Sequence, residues 1–365
     1  MFIYLVTFCF SLIFTSLAYR CYKHNEKVLF YLCSLIAIGL PSLLAGLRNE
    51  TVGTDTLNYI NYFTQATLYN NFSSYYKNYI GVEIGYLVLN FLVAHLSTSV
   101  SVFFIITHTI IVSSIYISAF KLQKYLNPTW VMFIFLFMSF NESLNILRQY
   151  IAISLSLLAF SDFITHRSFI RYFIINIIGF TFHHSSIICF IFPIIYLLLD
   201  NKPFKKELKK LSIISLCLVS IYILLQKINI PFLSDFFSYK YLRYVSDGKG
   251  EVSSSTVLIY LYISFIIITT TIRRSNKIFN TLSVISILAI VFCTLGAWAT
   301  TLYRLSIYPF IINIISIPLI FKLRPKSYKI IKPIFVTLII CYWFYSIIYK
   351  GSNETIPYQT LLIGK

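Results

Sequence analysis

VLFYLCSLIAIGLPSLLAGL (Val28–Leu47), followed at once by RNETVGTDTLNY (Arg48–Tyr59), decides the class of fold. The uncharged run is long enough, as a helix, to cross about 30 Å of hydrocarbon. The stretch after it sets an arginine, a turn-forming glycine and a carboxylate at the mouth of that helix, an expensive place to leave charge idle. Comparable apolar runs recur at Phe2–Tyr19, Val100–Phe120, Ile151–Ile164, Leu211–Leu225, Thr256–Ile272, Ile278–Leu295, Leu305–Phe321 and Ile334–Tyr349. With 58% hydrophobic and 12% charged residues and a mean hydropathy of +0.78, the 365 residues cannot be wrapped around a soluble core. The chain therefore reads as all-α, a polytopic transmembrane bundle forming a single integral-membrane domain over 1–365. The first run has no basic leader and no small-residue cleavage site, so it reads as a retained span.

A formal charge of +18 raises the question of nucleic acid, but the basic residues are parcelled into short loops. Arg20–Lys27, Lys121–Lys124, Arg167–Arg171, Lys202–Lys210, Arg273–Lys277 and Lys322–Lys332 hold 20 of the 30 Lys and Arg. Such loops face the cytoplasm, and the pattern is topology information, not a nucleic-acid surface. With the N-terminus outside, Trp130–Leu199 threads as two helical hairpins broken at Asn141–Arg148 and at His183-His184, giving about twelve crossings. Ile84–Leu96 is too short to span and is expected as an interfacial helix in an outer loop over 48–99; a second outer loop covers 227–255. Short, broken helices line enclosed cavities, and here the cavity is expected to open outward. The seven cysteines show no CxxC pairing and read as packing residues. No metal ligands cluster, and no P-loop, GxGxxG or DxD pair calls for a cofactor.

The outer polar segments carry the candidate chemistry. Arg48 either grips a phosphate through its planar fork or simply snorkels to the interface. Asp55 serves as a base or an arginine anchor. Tyr59, Tyr62, Tyr69, Tyr75, Tyr76 and Tyr79 suit sugars or the headgroup belt. Arg148 falls in the first turn of the helix after Asn141–Leu147, where a cation works against the helix dipole; it binds an anion or pairs with Glu142. His183 or His184 caps backbone groups or acts as a general base. Arg304 lies between Tyr303 and Tyr308 and repeats the Arg48 arrangement. Three arginines at helix boundaries are what one would build to hold a pyrophosphate.

Arg-x4-Gly-x-Asp-x3-Tyr at 48–59, Glu-x2-Tyr at 83–86, Leu-Arg-Gln at 147–149, a histidine after an aromatic at 182–183 and Tyr-Arg at 303–304 follow one another across nearly the whole chain. In this the sequence resembles the EpsG-type, Wzy-like polysaccharide polymerases. The resemblance implies a GT-C-like or Wzy-like membrane glycosyltransferase of the bacterial cytoplasmic membrane. It would polymerise undecaprenyl-pyrophosphate-linked oligosaccharide repeats into capsule, exopolysaccharide or O-antigen on the outer side. Donor and acceptor would both be lipid-linked, with a chain-length regulator or flippase as candidate protein partner and neither metal nor other cofactor. It also implies Arg48, Arg148 and Arg304 on the donor pyrophosphate, Asp55, Glu83 or His183 as the base, and Tyr59, Glu142, Gln149 and Tyr303 on the sugar.

Two other classes are weighed against this reading. A lipid-linked oligosaccharide flippase or other transporter also needs a polar cavity, but no second half of the chain repeats the Arg48–Tyr59 pattern. A membrane acyltransferase would take its donor from the cytoplasmic side, where the sequence gathers basic loops and not the polar segments.

Overall fold

A computed structural model describes residues 1–209, 254–272, 276–296, 300–323, 329 and 331–360. The expected span Leu211–Leu225, and the loop 227–255 as far as Ser253, lie outside the described residues. Within them the regular structure is helical, with two isolated bridges, Arg48 to Thr360 and Ile80 to Val82. Seven described helices are long and apolar enough to cross a membrane, and five shorter apolar helices accompany them. The protein is a multi-pass helical membrane protein. It packs as two compact units, one of Met1–Ile187 with Pro318–Lys365 and one of Ile188–Ile317.

In the first unit, α1 (Phe2–Lys23) and α2 (Lys27–Gly46) form a hairpin, tied where Ser11 Oγ donates to the Ala37 carbonyl at 2.7 Å. The segment after α2 carries three helices: α3 (Thr56–Ala66), α4 (Phe72–Asn78) and α5 (Ile84–Leu96). Next come α6 (Val100–Lys121), α7 (Pro128–Met138), the single turn α8 (Phe140–Ser143), α9 (Leu147–His166) and α10 (Phe169–Phe182). Small residues bring spans together. A Cβ on Gly46 would lie 2.1 Å from Ile105 Cγ1 and 3.0 Å from the Ile105 backbone nitrogen, so α2 and α6 touch through a site that only glycine fills. α6 and α9 run parallel, their last turns joined by Lys121 and Asp162 at 2.6 Å. α10 returns antiparallel after Arg167 takes a left-handed conformation, with Gly179 set against the Ala152 carbonyl.

That register sorts the charges. Arg20, Lys23, Lys27, Lys121, Lys124 and Arg167 gather at one end of the unit. Arg48, after α2, Arg148, starting α9, and His183, ending α10, gather at the other.

At this second end α3, α4 and α5 make a cap with its own aromatic core. Phe63 stacks on Phe103 at 4.8 Å, and the buried Tyr75 donates to the Tyr62 carbonyl at 3.0 Å. The start of α5 packs on the end of α10, where a Gly85 Cβ would meet Thr181 Oγ1 at 2.3 Å. Tyr86 packs on Phe103 near the start of α6, and the end of α5 is three residues from that same start. Both ends of α5 thus lie at one end of the bundle, and its 13 residues, about 20 Å, lie across it. Ile84, Val88, Leu92 and Leu96 form an exposed apolar stripe at four-residue spacing, opposite the buried Tyr86, Leu87, Asn90, Val93 and Ala94.

The second unit contains α11 (Ile191–Leu198), α12 (Ser254–Ile272), α13 (Lys277–Leu295) and α14 (Thr300–Leu323) as far as Ile317. Buried polar side chains link its helices. Ser286 Oγ donates to Asn313 Oδ1 at 2.6 Å, and Asn280 Nδ2 donates to the Asp200 and Lys202 carbonyls. Tyr260 stacks on Phe310 at 3.8 Å.

The α2–α6 contact yields a stability test. Gly46→Val should cost about 1–3 kcal/mol or more through overpacking, read as a lower unfolding temperature in detergent. Gly39→Ala, with nothing within 4 Å of the added Cβ, should leave that temperature unchanged or slightly raised.

Candidate functional site

Arg148 is the second residue of α9, at the positive end of the helix dipole, so its charge needs a partner from elsewhere. Glu83, at the N-cap of α5, supplies it: Arg148 Nη1 donates to Glu83 Oε2 at 2.5 Å. The Arg148 side chain remains 27% exposed while that of Glu83 is 10% exposed, so the pair is closed on the carboxylate side and open on the guanidinium side. The guanidinium also lies over the rings of Tyr86, at 5.6 Å, and Tyr62, at 6.0 Å. The expected structural alternative, a pair with Glu142, is corrected: Glu142 accepts instead from the Tyr150 hydroxyl at 2.7 Å.

The start of α9 is held from outside the helix. The buried Tyr59 hydroxyl donates to the Asn145 carbonyl at 2.5 Å and accepts from the Leu147 N–H at 3.0 Å, satisfying two backbone groups at the break. Arg48 is 1% exposed, with Nη2 donating to the Leu144 carbonyl and Nη1 to the Ala45 carbonyl, each at 3.1 Å, and its guanidinium 4.1 Å from the centre of the Phe104 ring. Burial pushes its pKa down to about 10, which leaves it a cation at neutral pH. Snorkelling does not describe it: two of its nitrogens donate to carbonyls inside the protein, and the buried Nε has no hydrogen-bond partner among the described residues. Gly53 has φ of +102°, and a Cβ there would lie 2.4 Å from Asn145 Oδ1, so the motif glycine lets this loop press on the break.

Asp55 occupies the N-cap of α3 without a side-chain capping bond and is half-buried. It begins the helical face that carries Tyr59 and Tyr62, four and seven residues on. His183 caps α10 and is half-buried; Ser185 N–H donates to its Nδ1 at 3.3 Å, and Ser185 Oγ lies 2.5 Å from the same nitrogen. A backbone N–H can only donate, so Nδ1 is the acceptor in this contact. His184 is exposed against Phe180, at 5.0 Å between ring centres. Since Gly179 faces Ala152 across antiparallel helices, His183 falls at the level of Arg148. Gln149 is buried. Arg304, exposed, and Tyr303, half-buried, belong to the second unit, on the first turns of α14.

The first unit therefore brings Glu83, Arg148 and His183 to one end, with Tyr62 and Tyr86 around the cation. Tyr86 was visible only as the last residue of the Glu-x2-Tyr motif. Asn353 and Thr355, which hold the break, carry no local signature. Chemically, a half-open guanidinium at a helix N-terminus, with spare N–H donors and aromatic walls, suits a phosphate oxygen.

The family profile described as EpsG family matches residues 31–360. No curated protein and no solved structure matches the chain.

The ion pair can be measured directly. Glu83→Gln, Arg148→Gln and the double variant should give a coupling of about 1–3 kcal/mol in a stability cycle, since each single change strands a partly buried charge. Unfolding in detergent reads it, and strict additivity would mean the contact contributes nothing.

Proposed function

Because the chain belongs to the EpsG family, we propose that it is a membrane polymerase joining lipid-pyrophosphate-linked oligosaccharide repeat units into a surface polysaccharide. The observation that carries this reading is the Arg148–Glu83 pair, open on its cationic side where α5, the start of α9 and the end of α10 meet. The acceptor hydroxyl oxygen attacks the anomeric carbon of the donor sugar. As that bond forms, the bond from the anomeric carbon to the pyrophosphate oxygen breaks, and the lipid pyrophosphate leaves with the electron pair. Charge builds on the leaving group, and Arg148 is the group suited to meet it; a phosphate oxygen replaces Glu83 on one guanidinium edge or takes the other. The proton of the attacking hydroxyl passes to a carboxylate. Asp55 suits this role best, since Glu83 is engaged with Arg148 and His183 Nδ1 with Ser185.

Arg48 acts in this reading by holding the break from which α9 starts. Tyr62 offers a half-buried ring to the sugar next to Arg148, and Glu142 and Gln149 remain candidates for its hydroxyls. Within the first unit the site lies at the end opposite Arg20, Lys23, Lys27, Lys121, Lys124 and Arg167, which supports an outward-facing site in a bacterial cytoplasmic membrane. The donor and acceptor lipids would be undecaprenyl carriers.

Arg148→Lys should lower polymer output about 10²–10³-fold at equal protein level, since a bidentate fork becomes a point charge. Polymer on gels and lipid-linked single repeats in extracts are the readouts. Single repeats should accumulate where an added, non-permeant glycosidase reaches them. Their retention on the cytoplasmic side would favour transport over polymerisation.

A further inference from the structure

The last described residues form a strap, Gly351–Thr360, in which Gly351, Asn353 and Glu354 have positive φ. Its contacts concentrate on two places. On the motif loop, Gly53 N–H donates to the Glu354 carbonyl at 2.9 Å and Asn49 N–H to the Gln359 carbonyl at 2.8 Å. On the break before α9, Asn145 Nδ2 donates to the Asn353 carbonyl at 2.8 Å, and Asn141 Nδ2 donates to Thr355 Oγ1 at 2.8 Å. Thr355 is 1% exposed, and its carbonyl accepts from the Tyr4 hydroxyl at 3.1 Å. Trp343 Nε1–H fills the other end of the Asn141 amide, donating to Oδ1 at 2.9 Å. Tyr358 reaches back to the Leu44 carbonyl at 2.7 Å; burial pushes its hydroxyl up to about 12, so it remains a neutral donor.

We propose that this C-terminal strap is a positioning element of the site, with Thr355 and Asn353 fixing the residue at which α9 begins and hence the direction of the Arg148 fork. The physical reason is helical geometry. Arg148 follows the first residue of α9, and a slip of one residue in the helix start turns every later side chain by about 100°, which would carry the guanidinium off Glu83 and the tyrosine rings. The α8–α9 link closes only short local turns, such as Ser143 N–H to the Ser139 carbonyl and Ile146 N–H to the Glu142 carbonyl, and the strap adds side-chain clamps on Asn141 and Asn145 that fix where those turns end. Thr355 and Asn353 touch no reacting atom and act only through Asn141 and Asn145. The proposal rests on Arg148 as the anion-binding group described above.

The test uses the full-length chain in lipid nanodiscs and in cells. Thr355→Val keeps the shape and removes the hydroxyl acceptor, stranding the buried Asn141 amide; Thr355→Ser keeps the acceptor. Amide hydrogen exchange over Leu144–Tyr150 should quicken about tenfold in Thr355→Val, with α2 and α6 unchanged, and stay at the native rate in Thr355→Ser. Polymer made per folded molecule should fall about tenfold in Thr355→Val and be retained in Thr355→Ser. Unchanged exchange at Leu144–Tyr150, or a polymer loss no larger than the loss of folded protein, would overturn the positioning role. Normal polymer from Arg148→Lys would instead sink the polymerase reading of Arg148, leaving the exchange result to decide the strap.

Discussion

Backbone groups freed inside a membrane-spanning bundle have no water to bond, and this chain meets that constraint between Ser139 and Ile146. The interruption separates α7 and the single turn α8 from α9. Its N–H groups close local turns, and what those turns leave is held from three distant parts of the sequence: Arg48 on the Leu144 carbonyl, Tyr59 on the Asn145 carbonyl and the Leu147 N–H, and the strap residues Asn353 and Thr355 on the Asn145 and Asn141 side chains. Because every one of these partners is remote, the break cannot heal or move without disturbing α2, α3 and the C-terminal end together. What the break provides is a helix N-terminus within reach of the α5 cap, where a cation can stand against the local dipole if a carboxylate comes to meet it.

The arginines singled out by their place at helix boundaries are chemically unlike. Arg48 follows the carbonyl-rich end of α2, where a positive charge is welcome, and it spends its donors on carbonyls and its face on Phe104. A guanidinium so enclosed closes a structure. Arg148 stands at the opposite kind of helix end, with one carboxylate, two tyrosine rings and a partly open edge. The first holds the break from which the second projects, and charge stabilisation in the proposed reaction would need both the clamp and the open fork. α5 adds a further constraint, since its N-cap is Glu83 and its exposed stripe is apolar: the helix that supplies the counter-charge lies across the end of the bundle.

Much of this was legible in the sequence, for physical reasons that differ between elements. Long uncharged runs such as Val28–Leu47 announce themselves by length, and the breaks near Asn141–Arg148 and at His183 by polar residues that a lipid-facing helix excludes. Arg148 stood out because a cation in a first helical turn contradicts local preference. Its partner was not legible: Glu142 is near in sequence, Glu83 is near in space, and only the packing of α5 across α9 and α10 chooses between them. The motif shows Tyr59 but not its hydroxyl's bonds to backbone at the break, because burial cannot be seen in a motif. The strap was missed altogether, since Asn353 and Thr355 lie more than 200 residues from Asn145 and Asn141 in sequence and belong to no periodic pattern.

The most direct measurement is a cryo-electron microscopy structure of the full chain in nanodiscs with a lipid-pyrophosphate-linked sugar bound. The expected density places a phosphate oxygen about 2.8 Å from an Arg148 guanidinium nitrogen, with Arg48 still on the Leu144 and Ala45 carbonyls. Pyrophosphate density elsewhere, with Arg148 held by Glu83 alone and unmoved, would contradict the assignment of this end of the bundle as the donor site.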